Sequence, residues 1–463
     1  MASPPFVTPT ITAAPIGAPG RGGPTDPSHD EELRRGILHT AVSRRVAALL
    51  AGIFLLIIYA VPLAQVALEK LKGDESVLPD LFRRWPTQET IKQFEEDLEK
   101  ASYAREAVRP QLQDALSRFG RFGNTKAVIG RDGWLFYQPG VAAVGGPPLL
   151  DPAILSSRAK AARDAGGDVL YPDPRPAIRA FRDYLATRDI ALVIFPVPDK
   201  AGLQPAQLHG RVSIARSPGD GGAGMLPGRN PDQARLMAEL EAAGVLVFDP
   251  TPQRLDPAAA PRFLQQDTHW TPEWMKEVAH DLATFLEKRV SLDSVTPPRQ
   301  WASTVSRVSR VGDLVDMLGL PPGQTLFPAQ TITIEEVHAA DGTPFEPNPS
   351  AAVLLLGDSF CNVFTLGQMG WGEAAGLAPH LARALRADVD VIAQNDAGAF
   401  ATRQLLWNEL SNPEPGKPDR LAGKKVVVWE FASRELAVGN WKLLRWPAAP
   451  ADALPGNPPG GAP

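Results

Sequence analysis

The stretch of residues 46–68 constrains the fold of this chain most, because its 23 residues include no charged side chain. A helix of this length crosses the ~30 Å hydrocarbon layer of a bilayer, since each residue adds about 1.5 Å. A buried core helix and a cleavable signal peptide are the two alternatives. The apolar region of a signal peptide has about 7–15 residues and precedes a small-residue cleavage site, whereas this stretch is longer and lacks a clear site. We therefore predict an uncleaved membrane anchor.

Charged residues on either side of the apolar stretch predict its orientation. Four arginines precede it, whereas two lysines mixed with three acidic residues follow it (Arg34, Arg35, Arg44 and Arg45; Glu69, Lys70, Lys72, Asp74 and Glu75). Loops rich in Lys and Arg stay on the cytoplasmic side of a membrane. The expected arrangement is a single-pass protein of the cytoplasmic (inner) membrane, whose larger part faces the periplasm.

Proline and glycine are abundant, with 47 and 40 residues, and many of them lie near the two ends of the chain. Segments of this composition bury too little apolar surface to fold. The prediction is a disordered cytoplasmic tail, the anchor, a helical stalk or lead-in, one large folded domain and a disordered tail (residues 1–45, 46–68, 69–125, 126–440 and 441–463). A mobile loop is expected at 216–231. The net charge of −5 disfavours a nucleic-acid partner, and the single cysteine excludes intrachain disulfides and cysteine-cluster zinc sites.

Continuous apolar runs alternate with helical patterns in the predicted folded domain. Such runs are typical of buried parallel strands, and they lie at residues 190–198, 244–250, 351–359 and 424–431. Amphipathic helices are predicted between them, for example at 231–243 and 272–288. This alternation predicts an α/β fold, with a mostly parallel sheet and helices on both faces. Residues 126–137 predict a β-hairpin that turns at Asp132-Gly133.

Ser359 lies where one predicted strand ends, in the sequence Gly357-Asp358-Ser359-Phe360. In α/β sheets, ligands bind outside the carboxyl ends of the strands. Gly357 would allow a tight turn with unusual dihedral angles, exposing the Ser359 hydroxyl beside backbone N–H groups that can stabilise an oxyanion. The alternative is that Asp358 or Ser359 only caps the next helix. Cys361 is a second candidate nucleophile, although a packed core side chain is the simpler interpretation.

Asp267 and His269 form a second candidate pair, just before the predicted helix cap Thr271. Residues i and i+2 of an extended segment point to the same side, so Asp267 can orient His269 while His269 acts as a base. A capping aspartate beside a packing histidine, or half of a metal site, would leave the same pattern. The other histidines show no metal-ligand spacing such as His-Glu-x-x-His. Together with Ser359, the Asp267–His269 pair supplies a nucleophile, a base and an acid that orients the base, which predicts acyl transfer through an acyl-serine. The Ser359 hydroxyl is then expected within about 3 Å of a His269 ring nitrogen.

With these two segments the chain resembles the SGNH hydrolase-like superfamily, and within it the AlgJ/AlgX family of polysaccharide O-acetyltransferases. Six blocks carry the resemblance, in the order of that family: KAVIGRDGWLFY, FPVPDKAGLQP, DTHWTPEW, VGDLVDMLGLP, LLLGDSF and VVVWEFASREL. The Asp-His pair precedes the serine, whereas ordinary SGNH esterases have the reverse order. This permuted order also resembles the AlgJ/AlgX family.

The resemblance implies a role for each residue that matches one of these blocks. Ser359 would be the nucleophile, His269 the base and Asp267 the acid that orients the base. The backbone N–H of Ser359 would hold the oxyanion, together with a second donor. Asn395, which follows the apparent strand at 389–392, is a looser match for that donor, and Gly357 belongs to the serine turn.

The resemblance also implies substrates and partners. Lys200 and Arg434 follow strands in matching blocks and would contact an anionic sugar, or alternatively form solvated charges or internal ion pairs. The acceptor would be an exopolysaccharide such as alginate, and a membrane-bound O-acyltransferase would supply the acetyl groups. Neither a metal nor an organic cofactor is implied.

Two departures from the family limit what the resemblance predicts. The chain length leaves no room for the C-terminal carbohydrate-binding module of AlgX-type proteins, so the chain is expected to be closer to the membrane-anchored AlgJ type. The net charge of −5 provides no general attraction to a polyuronate. Two other functions remain open: an SGNH-type carbohydrate acetyl esterase with the same triad, and a non-catalytic scaffold of a polysaccharide secretion complex.

Overall fold

The computed structural model describes residues 43–79, 85–167, 169–210, 225–256, 258–292, 298–395, 398–414 and 419–448. Most of the predicted N-terminal tail, of the loop at 216–231 and of the C-terminal tail lies outside these residues. The chain divides into two compact units, Met1–Glu106 and Ala107–Pro463. The predicted boundary between stalk and catalytic domain, after residue 125, differs from this division. Residues 107–125 lie in the larger unit, where for example Asn124 Nδ2 donates to the carbonyl oxygen of Met317 at 2.8 Å.

The smaller unit contains helix α1 (Arg44–Lys72), which includes the whole predicted anchor and adds a polar segment at each end. In the described part of the chain, α1 is the one helix that is long and apolar enough to cross a membrane. None of the residues in the most apolar 18-residue part of α1 is buried within the structure, which argues against a core helix. Gly73, at a φ of 80°, ends α1 in the left-handed conformation. Helix α2 (Gln88–Ala101) follows, and its N-terminal cap is Thr87.

The larger unit is built on five parallel strands: β3 (Ala191–Val197), β4 (Leu246–Val247), β7 (Val353–Gly357), β8 (Asp390–Ala393) and β9 (Val426–Ala432). Their order across the sheet is β4-β3-β9-β7-β8. All four apolar runs therefore contribute strands, although the run at 244–250 contributes only the two residues of β4. The predicted α/β class with a mostly parallel sheet is confirmed.

Helices cover both faces of this sheet, because alternate strand residues point to opposite sides. Val193 and Phe195 of β3 join a core with α10 (Pro272–Arg289) and α13 (Leu377–Leu385). Leu192 and Ile194 join the opposite core, which contains residues of three further helices: α6 (Pro174–Ala186), α9 (Gln233–Ala242) and α14 (Gly398–Ser411).

Two antiparallel pairs lie outside the main sheet. The predicted hairpin is formed by β1 (Ala127–Ile129) and β2 (Leu135–Tyr137), and it turns at Asp132 and Gly133, with φ of 52° and 78°. A longer ribbon pairs β5 (Trp301–Arg310) with β6 (Gln330–Ala339).

The remaining helices are short or lie between these elements: α3 (Tyr103–Ala115), α4 (Gln138–Gly145), α5 (Pro152–Asp164), α7 (Lys200–Leu203), α8 (Pro205–Leu208), α11 (Asp313–Leu318), α12 (Ser359–Asn362) and α15 (Glu435–Val438).

Candidate active site

The carboxyl ends of the parallel strands place several predicted residues at one edge of the sheet. Ser359 follows β7, Asn395 follows β8 and Arg434 follows β9. These three residues and His269 line the same cavity, whose volume is about 380 Å³. Residues from four distant parts of the chain therefore converge on one site, as expected for an α/β sheet.

Ser359 is the first residue of α12, and Asp358 caps that helix. Oδ1 of Asp358 accepts the N–H of Phe360, and Oδ2 accepts the N–H of Ala432, each at 2.8 Å. The capping interpretation of Asp358 is thus correct, and its carboxylate also joins the serine turn to the end of β9. Ser359 is half-buried and lines the cavity, so its side chain is accessible to a substrate.

Gly357 serves the serine turn for a reason other than the predicted one. It is not among the glycines with positive φ in the described residues. A Cβ atom at this position would lie 2.5 Å from Cβ of Cys361 and 3.2 Å from Oε2 of Glu430. Close packing under the turn, rather than an unusual dihedral angle, therefore requires glycine here.

Glu430 and Cys361 lie buried beneath the serine turn. Oε2 of Glu430 accepts the N–H of Asp358 at 2.9 Å. Burial raises the pKa of Glu430 well above its ordinary value, which favours the neutral form of this carboxyl group. Burial likewise raises the pKa of the Cys361 thiol well above its ordinary value. A protonated, buried thiol is a poor nucleophile, which leaves Ser359 as the candidate.

Asp267 and His269 form a buried pair, of which His269 lines the cavity. His269 Nδ1 lies 2.6 Å from Oδ1 of Asp267, and the same oxygen accepts the backbone N–H of His269 at 3.1 Å. Oδ2 of Asp267 accepts the indole N–H of Trp371 at 2.9 Å and the backbone N–H of Asp313 at 3.0 Å. Four donors therefore hold this carboxylate in one orientation.

The protonation states of this pair follow from its contacts. Burial alone would raise the pKa of Asp267, but the hydrogen bond and charge of His269 hold that pKa well below its ordinary value. Burial alone would lower the pKa of His269, but the hydrogen bond and charge of Asp267 raise that pKa above its ordinary value overall. An ionised Asp267 thus stabilises the imidazolium that forms when His269 accepts a proton.

The second ring nitrogen of His269 is available for chemistry. Nε2 is buried and has no hydrogen-bond partner among the described residues. The expected contact of about 3 Å with the Ser359 hydroxyl is not formed, since no hydrogen bond joins these two described side chains. Bonds of this kind commonly tighten only when substrate binds.

Asp267, His269 and Asp313 also satisfy the spacing of a metal site, with one ligand atom of each within 4.8 Å of the others. The chemistry of the donors argues against this use. Both oxygens of Asp267 already accept N–H groups, and the 2.6 Å separation from His269 Nδ1 is a hydrogen-bond distance. The arrangement fits an acid that orients a base better than a set of metal ligands.

Lys200 does not occupy the position predicted for a sugar contact. It is buried, and its ammonium group donates to the carbonyl oxygens of Leu135, Gln265 and Asp267 at 2.5, 3.0 and 3.0 Å. Burial lowers the pKa of Lys200 to about 7. All three donors of the ammonium group are used within the protein, so this side chain supports the Asp267 segment instead.

Arg434 does line the cavity, as the sugar-contact prediction requires. Its guanidinium group lies 3.7 Å from Oδ1 of Asp199 and stacks 5.0 Å from the centre of the Tyr137 ring. Asn395 also lines the cavity, and its Oδ1 accepts a hydrogen bond from Asn362 Nδ2 at 2.9 Å. This bond leaves the amide N–H groups of Asn395 as candidate donors.

The sequence prediction missed Asp313, Trp371 and Glu430. Trp371 and Asp313 contact Asp267 from 104 and 46 residues away along the chain. Asp313 and Glu430 belong to the blocks VGDLVDMLGLP and VVVWEFASREL, so a local signal existed for both residues. Trp371 lies in no such block.

A parallel sheet whose carboxyl edge presents a serine turn, at a cavity shared with the histidine of an Asp-His pair, defines an SGNH hydrolase-like domain. The chain belongs to the family described as "SGNH hydrolase-like domain, acetyltransferase AlgX", whose model matches residues 127–433. It is therefore a member of an acetyltransferase family, in agreement with the resemblance found in the sequence.

The individual relatives share about a quarter of their aligned residues with this chain. The probable alginate O-acetylase AlgJ of Pseudomonas syringae pv. tomato is 25% identical over 331 residues, which cover 69% of this chain and 71% of that protein. The protein of the same description from Pseudomonas putida is 25% identical over 339 residues, covering 69% and 72%. Among solved structures, the O-acetyltransferase domain of Pseudomonas putida AlgJ has 22% identity and a TM-score of 0.47, covering 68% of this chain and 94% of that domain.

Proposed function

We propose that this chain is a membrane-anchored O-acetyltransferase that transfers acetyl groups to a polysaccharide through an acetyl-serine at Ser359. The mechanism rests on one observation, the hydrogen bonding of the two ring nitrogens of His269. Its Nδ1 is held by Asp267, while its buried Nε2 has no partner among the described residues, and His269 lines the same cavity as Ser359. The polysaccharide acceptor is proposed from the alginate O-acetylase names of the relatives.

In the first half-reaction, Nε2 of His269 removes the proton from the Ser359 hydroxyl as Oγ attacks the carbonyl carbon of an acetyl donor. The donor's leaving group departs with the proton from His269. The backbone N–H of Ser359 and the side-chain amide of Asn395 would stabilise the oxyanion. In the second half-reaction, His269 deprotonates a sugar hydroxyl, which attacks the acetyl-serine, and Oγ regains the proton as it leaves.

Arg434 is proposed to contact the acceptor, because it lines the same cavity as Ser359 and His269. The charge on the cavity wall does not favour a strongly anionic polymer. Arg310 and Arg434 lie there together with the acidic residues Asp313, Asp358 and Glu435. We therefore propose a polysaccharide acceptor without restricting it to alginate. The proposed acetyl supplier is a membrane-bound O-acyltransferase.

An assay with a chromogenic acetyl ester and an oligosaccharide acceptor tests the transferase function. We expect an acetylated oligosaccharide in the mass spectrum, and less free acetate per ester cleaved when the acceptor is present. Hydrolysis that the acceptor leaves unchanged, with no acetylated sugar formed, would instead identify a carbohydrate esterase. No ester cleavage by the intact chain would favour the scaffold function.

We further propose that α1 anchors the chain in the inner membrane, with the larger unit in the periplasm. Replacing both Leu55 and Ile57 by Arg is expected to release the chain from membranes washed at alkaline pH. Each charge near the centre of a span costs about 2.5–3.5 kcal/mol of insertion free energy. The matched control replaces the same two residues by Ala. A mature chain whose N-terminus lies beyond residue 68, measured by mass spectrometry, would contradict the anchor.

A further inference from the structure

The Asp267–His269 segment lies in an irregular stretch between two bridged residues, Phe263 and Trp270, and has no helix or strand of its own. A catalytic base needs a fixed position to within about half an ångström. The fixed geometry of this segment must therefore come from elements that pack against it. Lys200 of α7 is one such contact, through the carbonyl oxygens of Gln265 and Asp267, and the start of helix α11, at Gly312 and Asp313, is another.

Gly312 lets the start of α11 approach that segment closely. A Cβ atom at this position would lie 2.2 Å from the carbonyl oxygen of Gln266 and 2.8 Å from the backbone nitrogen of Asp267. The φ of Gly312 is −73°, which any residue can adopt. Glycine is therefore required here by the approach of two backbones rather than by its own conformation.

Asp313 is both a hydrogen-bond donor and a hydrogen-bond acceptor towards this segment. Its backbone N–H donates to Oδ2 of Asp267 at 3.0 Å, and its own Oδ1 accepts the backbone N–H of Thr268 at 2.7 Å. These two bonds fix the residues on either side of the Asp267 carbonyl. The backbone N–H of Leu314 adds a third bond, to the carbonyl oxygen of Gln266 at 3.3 Å.

The second carboxylate oxygen of Asp313 faces the imidazole. Oδ2 lies 3.8 Å from Nδ1 of His269, and the side chain, 28% exposed, remains at the cavity wall. Three charged or titratable groups act on this carboxyl group: Asp267, His269 and Lys200. Burial, reinforced by the charge of Asp267, raises the pKa of Asp313 to about 6, so the carboxyl is mostly ionised at neutral pH.

We propose that Asp313 is a positioning residue for the Asp267–His269 pair, which it holds by hydrogen bonds while placing a second negative charge beside the imidazole. The inference rests on the proposed function in one respect, namely that His269 is the base. It adds a residue outside the triad to the site. It also explains why Gly312 and Asp313 begin α11: the glycine allows the close approach, and the aspartate forms the hydrogen bonds.

The test uses the full chain with two substitutions, Asp313→Asn and Asp313→Ala. Asn keeps an oxygen that can accept the N–H of Thr268 but removes the charge, so we expect about a tenfold lower kcat, an unchanged KM and an acid limb of kcat/KM at lower pH. Ala also removes the hydrogen bond, and we expect about a 10²-fold lower kcat. Asp316→Asn is the matched control, because this aspartate of the same helix is 69% exposed. This substitution should leave kcat, KM and the acid limb unchanged.

A readout independent of activity separates this proposal from the proposed function. The pKa of His269, followed by NMR with labelled histidine in the full chain, should fall in Asp313→Asn and stay unchanged in Asp316→Asn. A wild-type kcat, pH profile and His269 pKa in Asp313→Asn would overturn the proposal. If the wild-type chain transfers no acetyl group, the proposed function fails, while the NMR titration still decides the role of Asp313.

Discussion

Replacing Ser359 by Ala is expected to lower the rate of acetyl transfer by about 10⁴- to 10⁶-fold. The other nucleophilic side chain at the described serine turn, Cys361, is buried, and burial raises the pKa of its thiol. The change removes one oxygen atom from a half-buried side chain at the cavity. The backbone of the turn is held by Asp358 and Glu430, which the substitution does not touch. We therefore expect the fold and the thermal unfolding temperature to be preserved.

The measurement is the rate of formation of acetylated oligosaccharide, together with a mass spectrum of the protein after brief exposure to the acetyl donor. The wild-type chain should carry one acetyl group on the peptide that contains Ser359. The matched control is Cys361→Ala, which removes the buried thiol two residues away and should retain the acetyl adduct and most of the activity. Normal polymer acetylation by Ser359→Ala would leave only a scaffolding role for the chain.

The sequence predicted the central strands because they are buried on both faces. Strands β3, β7 and β9 lie inside the protein and appear as uninterrupted apolar runs. The ribbon of β5 and β6 gave no such signal. Strand β5 alternates between exposed and half-buried residues and contributes little to the core, so its Ser and Arg side chains do not distinguish it from a loop.

The same distinction applies to the site. Ser359, Asp267 and His269 were predicted because each belongs to a short local pattern, at a strand end or before a helix cap. Trp371 could not be found in this way, because it belongs to no such pattern and reaches Asp267 only through tertiary packing. Asp313 does belong to a recognisable block, but the block does not reveal its hydrogen bond to Asp267. The sugar contact predicted for Lys200 was wrong for a related reason. Its position after a strand is correct, but the sequence does not reveal that three backbone carbonyl oxygens surround its ammonium group.

Replacing Asp267 by Asn should reduce kcat by about 10⁴-fold, even though the two side chains have the same shape. Oδ1 of Asp267 accepts hydrogen bonds from both the backbone N–H and the ring Nδ1 of His269, and Oδ2 accepts from Trp371 and Asp313. An amide has only one oxygen, so one of these pairs of donors must face an NH₂ group. If the NH₂ group faces Nδ1, His269 adopts the tautomer with its proton on Nε2 and cannot accept the proton of Ser359.

The pH dependence separates this electrostatic role from a purely structural one. In the wild-type chain, Asp267 raises the pKa of His269 above its ordinary value, and His269 must be neutral to act as a base. The wild-type kcat/KM should therefore fall as the pH decreases through that raised pKa. In Asp267→Asn the negative charge is absent, so the remaining activity should persist to lower pH. Asp281→Asn, at an exposed position of α10, serves as the control and should keep the wild-type profile. An acid limb at the same pH in Asp267→Asn would mean that this carboxylate does not set the ionisation of His269.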